Sequence, residues 1–476
     1  MTPSTLEDPR PADLTARRLE RMRPFGGARP PRFDTTGLPP GPRWPVWAQS
    51  VGLIRFRHTF VPAMWRRYGD VFTVRVVPGG RPLVLFTRPE HAKEIFAGDP
   101  EVFHAGKGNA ILGPIMGEHS LLLQDGAEHK RARSLLMPAF NGQALRRYRE
   151  LVEVVAREEV ARWRPGEEFR SHDRMNALTL EVILRVVFGV TDDRRLAQLR
   201  PRVNRTVNVS PAVLLGWGYP ALQRFGTWKR TVDNAFRLDE LIYTEIRDRR
   251  AATDLDRRTD VLSTLILAGD GEDRLTDEEL RDQLVTLLLA GHETTATALA
   301  WALHELGRDP AELARARAAA RAGDDGHLEA VLKESLRLHP VIPMVVRTLM
   351  RPTTVGGWDL PAGATVGPSI LIGHGRADNY AEPERFDPSR FVGRAPPVNT
   401  WIPFGGGVRR CLGAGFSLME GVAVLRTVLA AYDVTALPAH PSPRLLTGRR
   451  RSGATERPKV RNITSVPRGG SRIRVS

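Results

Sequence analysis

The spacing of apolar side chains divides the chain into a short extended region, a long helical middle and an irregular, glycine-rich end. Residues 51–68 carry apolar side chains at helical spacing. Residues 71–77 and 82–86 read as strands, and Pro78-Gly79-Gly80 between them predicts a hairpin with a loop of a few residues. A short helix follows Pro89. Residues 98–126 give few helix or strand signals yet are too apolar for a solvated tail, the mark of a functional loop. From 127 to 249 the pattern is amphipathic helix, broken near Pro165 and between Ser210 and Pro220. Residues 260–267 form another short helix. Thr276-Asp277-Glu278-Glu279 is an N-cap with acids in the first turn, opening a long apolar helix that runs to about Arg308. Two more helices, near 310–320 and 326–338, end at His339-Pro340. Residues 341–368 alternate strand-like runs with turns such as Gly356-Gly357, and 369–403 are proline-rich and irregular. A last helix covers 416–431. Residues 463–475 read as a final hairpin around Pro467-Arg468-Gly469-Gly470.

Helix outweighs strand, so the predicted class is mainly α with small β-sheets (α+β). No linker divides the chain after residue 38, which predicts one large helical domain over 38–476. Residues 1–37 are rich in proline and arginine with few apolar positions, and predict a flexible segment. Leu38-Pro39-Pro40-Gly41-Pro42 is a stiff elbow between the two.

Composition changes this picture little. The net charge of +16 raises nucleic acid as a partner, but 64 of the 70 basic residues are arginines spread along the whole chain, and no nucleic-acid motif accompanies them. A basic surface still suits an acidic protein partner. One cysteine in 476 residues rules out an intrachain disulfide and fits a reducing compartment. No uncharged apolar run reaches 18 residues, and no signal-peptide layout opens the chain, so a cytoplasmic protein without a membrane span is expected.

That single cysteine lies in Phe404-Gly405-Gly406-Gly407-Val408-Arg409-Arg410-Cys411-Leu412-Gly413. Three consecutive glycines let backbone come close to a flat ligand. A helix start just beyond would favour the Cys411 thiolate over the thiol. One thiolate on a tight loop suits a planar iron cofactor that brings its own in-plane ligands. The other reading is a buried structural cysteine, against which the glycines and Arg409 weigh.

Inside the long helix stands Ala290-Gly291-His292-Glu293-Thr294-Thr295. Two small residues admit a large partner against the backbone. Glu293 and Thr294 place an acid and an alcohol where protons could be passed to bound dioxygen, or form an ordinary polar face; His292 reads as a packed or solvated side chain. Glu334 and Arg337 share a helix face, and pair either as a surface ion pair or as an anchor that includes Arg390. Arg385 in Pro383-Glu384-Arg385-Phe386 competes for that third place; Arg390 is preferred. His129 and Arg133 stand i, i+4 and, with Arg347 and Arg409, form either a clamp for two carboxylates or four separate surface charges.

With these residues in place, the chain resembles the cytochrome P450 family of haem-thiolate monooxygenases, in its soluble bacterial form. Four elements fall in the family's order: the helix with 290–295, the Glu334–Arg337 pair, the segment 386–391 and the loop 404–413. In that loop Phe404, Gly407, Arg409, Cys411 and Gly413 sit at the family's spacing, and the resemblance covers about residue 38 onward. It implies a b-type haem (iron protoporphyrin IX) with Cys411 as axial ligand, framed by Phe404 and Gly413 and packed against Ala290 and Gly291. It implies that Glu293 and Thr294 serve O–O activation, and that Glu334, Arg337 and Arg390 hold the fold near the loop. His129, Arg133, Arg347 and Arg409 are similar to the family's propionate contacts, with histidine at 129 where many members have tryptophan. The elbow at 38–42 resembles the one that follows the anchor of eukaryotic members.

The activity so implied is hydroxylation or epoxidation of a small apolar substrate, of lipid, terpenoid or steroid kind, using O2 and two electrons. One cysteine cannot hold an iron–sulfur cluster and no dinucleotide-binding unit stands out. A separate ferredoxin-type or flavodoxin-type donor with its NAD(P)H reductase is therefore expected, docking near Arg409 and Arg410. Pocket walls are expected from 98–123, 209–215, 287–290, 341–346 and the tip near Val466. The rival readings are an H2O2-dependent peroxygenase and a non-catalytic haem sensor or carrier; retention of Glu293 and Thr294 weighs against both.

Overall fold

The computed structural model describes residues 10–21, 33, 35–77, 79–189, 192–209, 213, 224–269, 271–439, 456–461 and 463–476. In chain order the main helices are α1 (Pro11–Arg21), α2 (Val46–Arg55), α3 (Arg57–Tyr68), α4 (Pro89–Ala97), α5 (Gly126–Leu136), α6 (Gly142–Val160) and α7 (Ser171–Phe188). They continue as α8 (Asp193–Val207), α9 (Gly226–Arg250), α10 (Val261–Leu267), α11 (Asp277–Leu306), α12 (Pro310–Ala322), α13 (Asp325–Leu338) and α14 (Ala414–Ala431). The strands are β1 (Val71–Val76), β2 (Arg81–Phe86), β3 (Phe103–His104), β4 (Glu168–Arg170), β5 (Arg347–Leu349) and β6 (Thr353–Val355). After them come β7 (Trp358–Leu360), β8 (Thr365–Pro368), β9 (Val434–Ala436), β10 (Pro458–Arg461), β11 (Thr464–Pro467) and β12 (Arg472–Val475). The mainly helical class with small sheets is as the sequence predicts.

Contacts gather the chain into two compact units. The first comprises Met1–Arg29, of which α1 is the described helix, with Gly106–Ala139 and Ile183–Ala290. Its centre is polar. The Asp239 carboxylate on α9 accepts from Arg281 Nε (2.8 Å), Arg18 Nη2 (2.9 Å) and Thr15 Oγ1 (2.9 Å), all buried. Asp282, also buried, accepts from Arg281 Nη1 (2.8 Å), so two carboxylates balance two guanidiniums, the condition on which such groups survive burial. The bonds from Arg18 and Thr15 tie α1 into the unit, and the helix is polar in sequence because part of what it buries is an ion pair. Leu19 of α1 joins Val209, Val213, Ile111, Leu112 and Ile115 in an apolar cluster, which brings parts of the stretches 98–123 and 209–215 together. The break expected between Ser210 and Pro220 lies outside the described residues except for Val213.

The second unit comprises Pro30–Ala105, Phe140–Val182 and Gly291–Ser476. Its main sheet runs β1-β2-β8-β5-β3. β1 and β2 pair antiparallel with Val71 opposite Phe86, and β2 and β8 pair parallel. Its helical core is built around α14, against α6, α12 and α13. Gly421 lets α14 approach α13 so closely that a Cβ there would lie 2.3 Å from Leu332. Among the described residues α14 alone has the length and apolarity of a bilayer span. Ten of its residues are buried in this unit, as a core helix requires.

Two expectations are corrected here. Residues 51–68 form two helices, α2 and α3, separated at Phe56 (φ −126°, ψ 23°). The break lets Gly52 meet the Phe60 ring, where a Cβ would stand 2.8 Å away. The final hairpin is not one: β11 pairs with β10, whereas β12 lies between β4 and β9. Positive φ at Gly470 (79°) and Ser471 (48°) turns the chain between sheets, and the Glu456 carboxylate accepts from the N–H groups of Gly469 and Ser471 (2.7 and 3.0 Å).

Candidate active site

The cysteine loop is closed by its own backbone. Gly405 N–H donates to Ile402 O (3.0 Å), Arg410 N–H to Gly407 O (3.1 Å) and Cys411 N–H to Phe404 O (2.9 Å). Gly405 and Gly407 sit at φ 67° and 64°, a region that favours glycine. Gly406 is extended but cannot carry a side chain, since its Cβ would lie 2.3 Å from the Phe96 ring of α4. Phe404 meets Trp401 edge-on at 5.9 Å. Cys411 is exposed. It stands two residues before Gly413, the N-cap of α14, and so lies ahead of the first turn rather than in it. Ile402 N–H donates to His374 Nε2 at 2.9 Å; burial pushes this imidazole's pKa down to about 3, so it stays a neutral acceptor. Nothing in sequence marked His374.

The segment leading to the loop is tied to α13. Arg337 grips Glu334 through Nε–Oε2 (2.7 Å) and Nη2–Oε1 (2.8 Å), both side chains fully buried. Its remaining donors reach the carbonyls of His374 (3.0 Å), Pro383 (2.7 Å) and Arg385 (3.1 Å). Glu334 Oε1 also accepts from Asp387 N–H (2.8 Å), and Arg390 Nε lies 3.4 Å from it. Of the two candidate third partners, Arg390 is beside the pair, while the Arg385 side chain is exposed and pairs with Glu382.

α11 opens on a reciprocal cap, Glu279 N–H to Thr276 Oγ1 (3.2 Å) and Thr276 N–H to Glu279 Oε2 (2.8 Å). It then runs unbroken past residues 290–295. Ala290 is exposed and Gly291 and Thr294 half-buried, whereas His292 and Glu293 are buried. Glu293 Oε1 makes an ion contact with Arg461 Nε of β10 (3.1 Å) that is not an aligned hydrogen bond. Burial therefore dominates and pushes the carboxyl pKa up to about 7, the Arg461 charge only partly offsetting it. Around it Thr297 Oγ1 donates to Glu293 O (2.7 Å), His172 Nε2 meets Thr297 Oγ1 (3.2 Å), and Thr179 Oγ1 donates to His292 O (2.9 Å). Thr295 Oγ1 meets Ser417 Oγ at 3.1 Å, linking α11 to α14. Arg461 was not a sequence candidate; one arginine among 64 carries no local signal.

His129 is buried and Arg133 half-buried one turn apart on α5, in the first unit. Arg347 on β5 and Arg409 in the cysteine loop belong to the second. Arg347 is buried, donates to Val346 O (2.8 Å) and has its guanidinium carbon 6.0 Å from the Phe96 ring centre. Taken within the second unit, the donors present are of the kind a haem takes. That unit offers one accessible thiol on a glycine loop, with Arg347 and Arg409 as basic side chains suited to carboxylates.

A family model described as Cytochrome P450 matches residues 38–459. Cytochrome P450 135A1 of Mycobacterium tuberculosis is 53% identical over 442 residues, 93% of this chain and 96% of that protein. Cytochrome P450 135B1 of Mycobacterium bovis is 44% identical over 449 residues, 93% and 92% of the two chains. Among solved structures, retinoic acid-bound cyanobacterial CYP120A1 superposes with a TM-score of 0.79 at 24% identity, covering 92% of this chain and 99% of that one. The heme domain of cytochrome P450DA does so at 0.76 and 24%, covering 92% and 97%. The last two establish the fold. The chain belongs to the cytochrome P450 family of haem-dependent monooxygenases.

Proposed function

We propose that this protein is a haem-thiolate monooxygenase of the cytoplasm, in which Cys411 would supply the thiolate ligand and residues 38–476 would form the haem-binding domain. It hydroxylates or epoxidises a small apolar molecule of lipid, terpenoid or steroid kind. The observation that carries this reading is the exposure of the one cysteine on a loop whose glycines are each dictated by φ or by Phe96. Bound haem supplies the dioxygen-activating iron, and thiolate ligation favours O–O cleavage.

The chain's own residues do the rest. His129, Arg133, Arg347 and Arg409 are the residues that would hold the two propionates. Ala290 and Gly291 would leave room for a bound haem beside α11, and Phe404 and Gly413 would fix the loop from either end. Glu334, Arg337 and Arg390 hold the approach to that loop rigid. Glu293, with a carboxyl pKa of about 7, can both hold and release a proton at Oε near neutral pH, the match a general acid needs. Thr294 places a hydroxyl one residue on. The apolar cluster of Ile111, Leu112, Ile115, Val209 and Val213 supports an apolar substrate. Electrons come from a separate acidic ferredoxin-type or flavodoxin-type protein and its NAD(P)H reductase, docking beside Arg409 and Arg410.

The test is turnover with NADH, a ferredoxin and its reductase, following NADH consumed and oxygenated product formed. Thr294→Ala is expected to keep NADH consumption and lose most of the product. Unchanged coupling would remove Thr294 from proton delivery.

A further inference from the structure

Among the described residues of the second unit, four of the eleven exposed large apolar side chains, including all of its exposed aromatic ones, stand at one place. Trp44, Trp47, Val51 and Phe56 are 51%, 66%, 46% and 54% exposed. They line one groove on α2 and α3, walled beneath by Phe60 and Met64. Apart from the indole N–H groups, Thr59 brings the only polar side chain to that lining. Four exposed large apolar side chains within thirteen residues are far more than scattered surface leucines and valines amount to, and mark a surface that meets something.

Charge says what. On α2 the i, i+4 row Trp47–Val51 continues to Arg55, and on α3 the row through Ala63 continues to Arg67. Arg43 precedes Trp44. All three arginines are exposed, and Arg55 lies over the Phe56 ring at 5.5 Å. Between Asp34 and Asp70 the sequence has five arginines and no acid. An apolar patch with Arg43, Arg55 and Arg67 exposed on its own segment, and tryptophans among its exposed members, suits the headgroup region of an anionic bilayer. Indole rings settle there, and arginine stems lie along apolar surface while their heads reach phosphate.

We propose that this α2–α3 face is a peripheral docking surface for anionic lipid membrane. Trp44, Trp47 and Phe56 enter the headgroup layer, and Arg43, Arg55 and Arg67 pair with lipid phosphates. The surface is nearly bare of directional hydrogen-bonding groups, which a specific protein partner would need for register. The attachment is reversible, as a few interfacial side chains and basic groups provide. It does not depend on the haem assignment.

The experiment uses the full-length holoenzyme in flotation with vesicles of phosphatidylcholine alone and of equimolar phosphatidylcholine and phosphatidylglycerol. Partition into the anionic vesicles is expected, falling about tenfold or more in W47S/F56S and several-fold in R43Q/R55Q, with circular dichroism unchanged. In the unsubstituted protein, hydrogen exchange with and without anionic vesicles is expected to show protection across residues 44–67. That readout stands even if a variant fails to fold. The proposal is overturned by no partition into either vesicle, or by protection confined to other segments. Partition that salt abolishes but W47S/F56S leaves intact overturns it too, since that is adsorption by the overall +16 charge. So does a dimer in light scattering that W47S/F56S dissociates while vesicle binding persists, which would assign the face to a second copy of the chain.

Discussion

Replacing Arg461 by glutamine removes the cation that, among the described residues, is in ion contact with the buried Glu293 carboxyl. An opposite charge at this range lowers a carboxyl pKa by about 1–3 units. With the Arg461 side chain 31% exposed and the contact poorly aligned, the lower end applies, about one unit or 1.4 kcal/mol. Glu293 then moves from about 7 upward by that amount. The sign follows from linkage. A carboxyl whose folded pKa is raised binds more protons folded than unfolded, so stability falls as pH climbs from its unfolded value to its folded one, and stays lost above. In the native protein that window runs from 4.5 to about 7. In R461Q it extends further upward. Urea unfolding of R461Q and the native protein should therefore differ little near about pH 5, and by about 1.4 kcal/mol more near about pH 9. In an E293Q background the pH-dependent part of that difference should vanish, and R461K should restore most of it. A destabilisation of equal size at both pH values, or one that survives in E293Q, would refute the coupling and leave Arg461 a packing residue.

Other consequences follow from the same geometry. Arg337→Ala strands Glu334, fully buried, and is expected to cost about 3–5 kcal/mol in urea unfolding, with haem lost at lower denaturant; a cost under about 1 kcal/mol would remove the pair from the fold's support. Gly406→Ala drives a methyl into the Phe96 ring and is expected to cost about 1–3 kcal/mol. Phe96→Ala in the same chain should recover part of it, and a fully stable G406A would mean that the loop can shift away from α4.

What the sequence made legible was local. The β1–β2 hairpin, the helix after Pro89, the Thr276–Glu279 cap and the Glu334–Arg337 spacing are set by neighbours within a few residues, and the structure has each in place. What it hid was long-range. Arg461 meets Glu293 across 168 positions and Arg18 meets Asp239 across 221, and no periodicity marks a partner so distant. α1 reads as a polar tail because its burial is partly ionic. The final hairpin failed for a related reason: Pro467 to Gly470 do turn the chain, but whether the next strand folds back or joins another sheet depends on β4 and β9. The cysteine loop lies between these cases. Its glycine spacing is a local signal, while the reason for Gly406 is the ring of Phe96, far away in sequence.

The central claim is that Cys411 presents its sulfur to a haem iron. The most direct measurement is the difference spectrum of the dithionite-reduced holoprotein with carbon monoxide. The account predicts the strongly red-shifted Soret band of a thiolate-ligated ferrous carbonyl, absent in Cys411→Ala. A shorter-wavelength band in the unsubstituted protein, or a red-shifted band that persists in Cys411→Ala, would contradict it.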